Sequence, residues 1–178
     1  MRTLAVSCLI AAGAQAGEAP QIQPHQVLAV QHGDWNGDGS MDRALLVESA
    51  EDADLLIYLS GPDELALAIH RPALVWRGQM AGTLPELELA ENGALRVISQ
   101  NASIGRNRWR EVLTVLYRDE AFIVGGYTYE AVDTLQPDSA THCDINLFNG
   151  KGFVNGAPVR VSARTRRVSQ WSSDGICP

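Results

Sequence analysis

No run of about 20 apolar residues occurs in this 178-residue chain, so no segment reads as a membrane-spanning helix. Positive charge is scarce: 14 Lys and Arg face 21 Asp and Glu, for a formal net charge of −7. That balance argues against general binding to nucleic acid or anionic membrane, because phosphate contacts need clustered bases. Cysteine is rarer still, with three in the chain and none in a C-x-x-C pair, which leaves no local redox or zinc motif. There is no G-x-S-x-G elbow, no S-x-x-K and no glycine loop built to cradle phosphate. The four histidines, His25, His32, His70 and His142, lack metal-ligand spacing, and His32 reads as a surface residue. No long amphipathic helix, internal repeat or low-complexity segment appears. What is present is a 46% hydrophobic composition, enough to bury a core and too apolar for a disordered chain.

The first residues read as an address. Arg2 precedes an apolar or small run from Thr3 to Ala14, and Ala14-Gln15-Ala16 forms an A-x-A cleavage site. Residues 1–16 are therefore expected to be a secretory signal peptide, and residues 17–178 a single exported β domain. Cys8 lies inside the apolar run and does not end it, so a lipid anchor is not expected. Removal of the leader leaves Cys143 and Cys177, a pair that in an oxidising compartment is expected to form a disulfide.

The remainder reads as short strands and turns. Val27 to Gln31, Ala44 to Glu48 and Leu55 to Leu59 are strand candidates, and Pro62 to Ala68 has the composition for a helical turn or two. Glu86 to Ala90 and Ala94 to Ser99 flank Asn92-Gly93, which predicts a hairpin with a primed two-residue turn. Glu111 to Tyr117 and Phe122 to Tyr129 flank Asp119-Glu120 as a second hairpin, with a bulge expected at Gly125-Gly126. Gln136 to Thr141 reads as a loop, and Ile145 to Phe148, Val159 to Val161 and Thr165 to Trp171 as later strands. The expected fold class is all-β, mainly antiparallel: a sandwich or an open barrel-like meander.

One motif carries specific chemistry. Asp34-Trp35-Asn36-Gly37-Asp38-Gly39-Ser40-Met41-Asp42 is D-x-N-x-D-G-x-x-D. Side-chain oxygens from Asp34, Asn36, Asp38 and Asp42, with the Ser40 carbonyl, suit a hard cation taking six to eight oxygens, and Gly39 permits the sharp turn. Position 12 is Leu45, where an EF-hand supplies a glutamate, and an apolar strand follows the loop. The segment closely resembles the FG-GAP/VCBS-type calcium loop that ties a β turn, which implies structural Ca²⁺ at residues 34–42.

A second segment, Ser99 to Trp109, joins two apolar strands through polar sequence and sets Arg106 and Arg108 beside Trp109. Arg and Trp are enriched at binding hot spots, and loops on rigid scaffolds carry function. With the leader, the calcium turn and the meander, the layout is similar to periplasmic i-type lysozyme inhibitors and related calcium-binding immunity proteins. That resemblance implies that a Ser-Gly loop enters the substrate cleft of a lysozyme-like cell-wall hydrolase. The nearest match here is Ser103-Ile104-Gly105 leading through Arg106 and Arg108 to Trp109, where the family has adjacent Ser-Gly and a tyrosine. The expectation is a periplasmic or secreted, calcium-stabilised, non-enzymatic binding protein. Two alternatives stay open: a glycan- or surface-binding adhesion-type module, and a hydrolase whose carboxylates are gathered from distant strands.

Overall fold

The computed structural model describes residues 20–62, 64–162 and 164–177; the expected leader at residues 1–16 lies outside the described residues. Nearly all the regular secondary structure is strand, arranged as two antiparallel sheets, so the all-β expectation holds and no closed barrel forms among the described residues. The first sheet runs β1 (Val27–Gly33), β2 (Asp42–Ser49), β3 (Asp52–Ser60), β4 (Leu65–Trp76) in that spatial order. The second contains β5 (Glu86–Leu89), β6 (Leu95–Asn101), β7 (Asn107–Arg118), β8 (Ala121–Asp133), β9 (Gln136–Asn146), β10 (Lys151–Val154) and β11 (Ala157–Arg160), each beside its neighbour in sequence. A short β12 (Arg166–Arg167) pairs with the start of β8 at Ile123 and Val124, a stretch that β9 does not reach. Among the described residues no helix is long and apolar enough to cross a membrane.

Strand alternation sends one row of each sheet inward, and those rows meet in a continuous core. Leu46, Leu55 and Ile57 of the first sheet face Leu95, Val97, Leu113, Val115, Val124 and Ile145 of the second, all fully buried. Each such side chain contributes about 1.5–3 kcal/mol of transfer free energy. Trp35 meets Phe122 edge-on at 6.4 Å, and Trp171 lies 5.7 Å from Tyr127. Cys143 on β9 and Cys177 are bridged, with Cα atoms 6.1 Å apart, as the cysteine count led us to expect.

Four local expectations need correction. Thr165 to Trp171 is strand only at Arg166–Arg167, with Val168–Gln170 forming a 3-10 turn that buries Val168. Pro62 to Ala68 is not helical: β4 begins at Leu65 and extends the sheet along β3. Gln136 to Thr141 is the first half of β9, pairing with β8 through Asp133–Gln136, Ala131–Thr141 and Glu130–His142. The turn at Asn92-Gly93 is longer than two residues: Leu89 pairs with Leu95, Ala90 N–H donates to Ala94 O, and only Gly93 is left-handed (φ 80°). The primed two-residue turn occurs instead at Asp119-Glu120, where both residues have positive φ (50° and 58°), and at Asn155-Gly156 (49° and 77°). The bulge at Gly125 is present, since Thr114 pairs with Gly126 and Val115 with Val124.

Candidate metal loop and binding surface

The residues between β1 and β2 build a compact, self-bonded turn. Gly33 pairs with Asp42 across its base. Asp34 Oδ1 accepts N–H bonds from Gly37 (2.9 Å) and Asp38 (3.1 Å), and its Oδ2 accepts from Gly39 (3.0 Å). Asn36 Oδ1 accepts from Asp38 N–H, and Asp38 Oδ1 from Ser40 N–H at 2.7 Å. Gly37 and Gly39 adopt φ of 76° and 85°, the left-handed region that glycine enters without a Cβ penalty. The Asn36 Nδ2 amide donates to Asp38 Oδ2 at 2.8 Å; that bond and the Ser40 N–H hold the Asp38 carboxyl below its ordinary pKa.

Asp42 behaves differently from its three partners in the motif. It is fully buried, its Oδ2 accepting from Trp35 N–H (3.0 Å) and its Oδ1 from Ser60 N–H on β3 (2.9 Å). It therefore ties the turn to two strands. A carboxylate has about four lone-pair sites, so each Asp42 oxygen keeps one unused by these two bonds. The donor set is hard oxygen throughout and fits a Ca²⁺ ion in kind. Asn36 would have to turn its Oδ1 toward the ion in place of the amide nitrogen that faces Asp38. Among the described residues no three His, Cys, Asp or Glu side chains are gathered as a metal cluster.

The Ser103 to Trp109 segment does not present its residues together. Asn101 braces the hairpin turn from within: its Nδ2 donates to Ile104 O and Asn107 O, and its Oδ1 accepts from Ile104 N–H. Ser103 Oγ donates to Ala81 O at 2.6 Å, and Ala102 N–H to Gly82 O, so this turn is docked on the segment between β4 and β5. Gly105 is exposed with φ 66°, and Arg106 reaches Asp133 at 3.0 Å. Trp109 points to the inner side, its ring 5.3 Å from Trp76. Arg108, one residue earlier, points to the outer face.

That outer face holds an arrangement invisible in the linear sequence. Pairing across β6, β7, β8 and β9 lines up Gln100, Arg110, Glu130 and His142 in one row, with Arg108 opposite Val132 in the next. They line an open cavity of about 430 Å³ that Ala140 and Thr141 complete. The cavity has two guanidinium groups and one carboxylate, Glu130, which His142 Nδ1 already contacts at 3.1 Å. Arg108 Nη1 is buried and has no hydrogen-bond partner among the described residues. Arg108 and Trp109 were legible as candidates from composition; Arg110, Glu130 and His142 depend on strand register. Comparison with family models, curated proteins and solved structures gives no match to this chain.

Proposed function

We propose that this is an exported, calcium-stabilised binding protein that inhibits or neutralises a cell-wall hydrolase through the Arg108–Arg110 end of the larger sheet. The observation that carries the reading is the buried, unpartnered Nη1 of Arg108 at the wall of a cavity with net positive side chains. A guanidinium left without an acceptor costs free energy that an incoming carboxylate recovers, and Arg presents a fork matched to that group. Hydrolases that cleave glycan strands commonly display paired carboxylates in an open cleft. Two arginines lining a cavity on a rigid sheet are complementary in charge to such carboxylates. The leader-like sequence of residues 1–16 and the Cys143–Cys177 bridge support export to an oxidising compartment.

The test uses purified peptidoglycan hydrolases, lysozyme-like enzymes among them, assayed for cell-wall lysis with the oxidised protein in calcium and in chelator. The expected result is inhibition of at least one enzyme that weakens tenfold or more in the Arg108→Ala, Arg110→Ala double variant, with an unchanged melting curve. Equal inhibition by the double variant, or none by the native protein across the panel, overturns the reading.

A further inference from the structure

A second depression lies on the same outer face, away from the Arg108 cavity. Strand pairing places Thr114, Gly126, Asn146 and Lys151 in one row across β7, β8, β9 and β10, with Thr128, Asp144 and Phe153 in the row beside it. Gly126 has no side chain, so the first row dips at its second position. The bulge residue Gly125 deepens the dip, because the Phe148 ring lies where a Cβ would stand, 2.5 Å from that point. The result is an open cavity of about 400 Å³ flanked by two exposed rings, Phe148 at 46% and Phe153 at 53% exposure.

Three of the polar groups around it, Asn146, Asn149 and Asp144, are held in orientation. Asn146 Oδ1 accepts from Phe148 N–H (2.9 Å) and Asn149 Oδ1 from Lys151 N–H (2.8 Å), which pins both amides by the oxygen. Their Nδ2 groups make no hydrogen bond among the described residues. Asp144 Oδ1 is taken by the Thr128 hydroxyl at 3.0 Å, and no described residue donates to its Oδ2. Lys151 forms no ion pair among the described residues. The dip therefore offers the exposed parts of two rings together with amide N–H donors and one carboxylate acceptor. Phe148 already carries the Arg118 guanidinium over its ring at 5.5 Å.

From this juxtaposition we infer a binding site for an oligosaccharide segment in the Gly126 dip between Phe148 and Phe153. A pyranose ring has an apolar C–H face, which suits an aromatic ring, and an equatorial rim of hydroxyl or acetamido oxygens, which suits amide donors. A sugar chain carries both kinds of surface along its length. A purely apolar ligand would strand the Asn146, Asn149 and Lys151 donors, whose desolvation is costly when unmatched. This site is independent of the hydrolase reading, since none of its residues lines the Arg108 cavity.

Titration calorimetry with chitotetraose and with cellotetraose tests it on the oxidised native protein. We expect saturable one-site binding of at least one of the two, weakened tenfold or more by Phe153→Ala and unaffected by Arg108→Ala. Phe153 is more than half exposed, so its truncation leaves the melting temperature near the native value. Asn149→Ala serves as a second variant and should also lose affinity. Absence of binding to either tetrasaccharide, or binding that Phe153→Ala and Asn149→Ala leave unchanged, overturns the inference.

Discussion

Glu111 sits on the inner face of β7, next to the Tyr127 hydroxyl on β8. Burial raises its carboxyl pKa above the ordinary value of 4.5, and the hydrogen bond from Tyr127 offsets only part of that rise. Tyr127 is in turn pushed well above 10.0, by burial first and then by the negative charge of Glu111. A carboxyl whose folded pKa exceeds its unfolded one binds protons more tightly when folded. Its contribution to stability is complete below the unfolded pKa and is lost as pH rises through the folded one. Glu111→Gln keeps an acceptor for Tyr127 and removes the charge. Its melting temperature relative to the native protein should therefore climb as pH rises above the ordinary glutamate value, where the buried Glu111 is forced to ionise. Parallel pH profiles for the two proteins would contradict this account. Neither the pairing of Glu111 with Tyr127 nor the burial of Asp42 was legible in the sequence. Both depend on which side of a strand faces the opposite sheet, and on Ser60 arriving from a different strand.

At the scale of elements, the turn between β1 and β2 gives Asp38 and Asp42 different tasks. Asp38 is exposed, and its bonds lie inside the turn, whereas Asp42 satisfies a buried N–H of Trp35 and a half-buried N–H of Ser60 on separate segments. If the proposed calcium binds, the native protein should melt higher in calcium than in chelator, as mass action requires of an ion bound to the folded state. Asp38→Ala should abolish that difference while leaving the chelator-treated protein near native stability. Asp42→Ala should destabilise by about 1–3 kcal/mol even in chelator, the scale of leaving the buried Trp35 donor unmatched, with the half-buried Ser60 donor adding less. Native melts that coincide in calcium and chelator would remove the ion from the structure's energetics. The spacing of this motif was readable because its bonds are local. The strands misread from sequence were those whose partners lie elsewhere: Gln136 to Thr141 contains Pro137 and polar residues, yet it lies beyond the reach of β10. An edge position needs no N–H from proline on its open side, so the polar composition of a loop and the geometry of a strand coexist there. β4 likewise carries Pro72 at the outer edge of its sheet. Asp119-Glu120 shows the reverse, a primed turn without glycine, imposed by the twist of two long strands.

Across the whole molecule, the two sheets share one core, while the segment after β11 has little regular pairing beyond β12. The Cys143–Cys177 bridge, together with buried Val168, Trp171 and Ile176, fastens that segment to β9. Closing a loop of this length stabilises by about 3–4 kcal/mol on the chain-entropy model. The Cys143→Ala, Cys177→Ala double variant should accordingly melt well below the oxidised native protein and close to its reduced form, as read by calorimetry with and without reductant. A reductant-insensitive native melt would argue against the bridge. The cysteine count and the spacing of turns were sufficient to anticipate both the bridge and the all-β class, because these depend on composition and local chemistry alone. The bridge also has a mechanical meaning. A load applied to residues near 177 enters the fold at Cys143, bypassing the chain between two cysteines separated by 34 in sequence, so about 110–120 Å of chain cannot extend under tension until the sulfurs part.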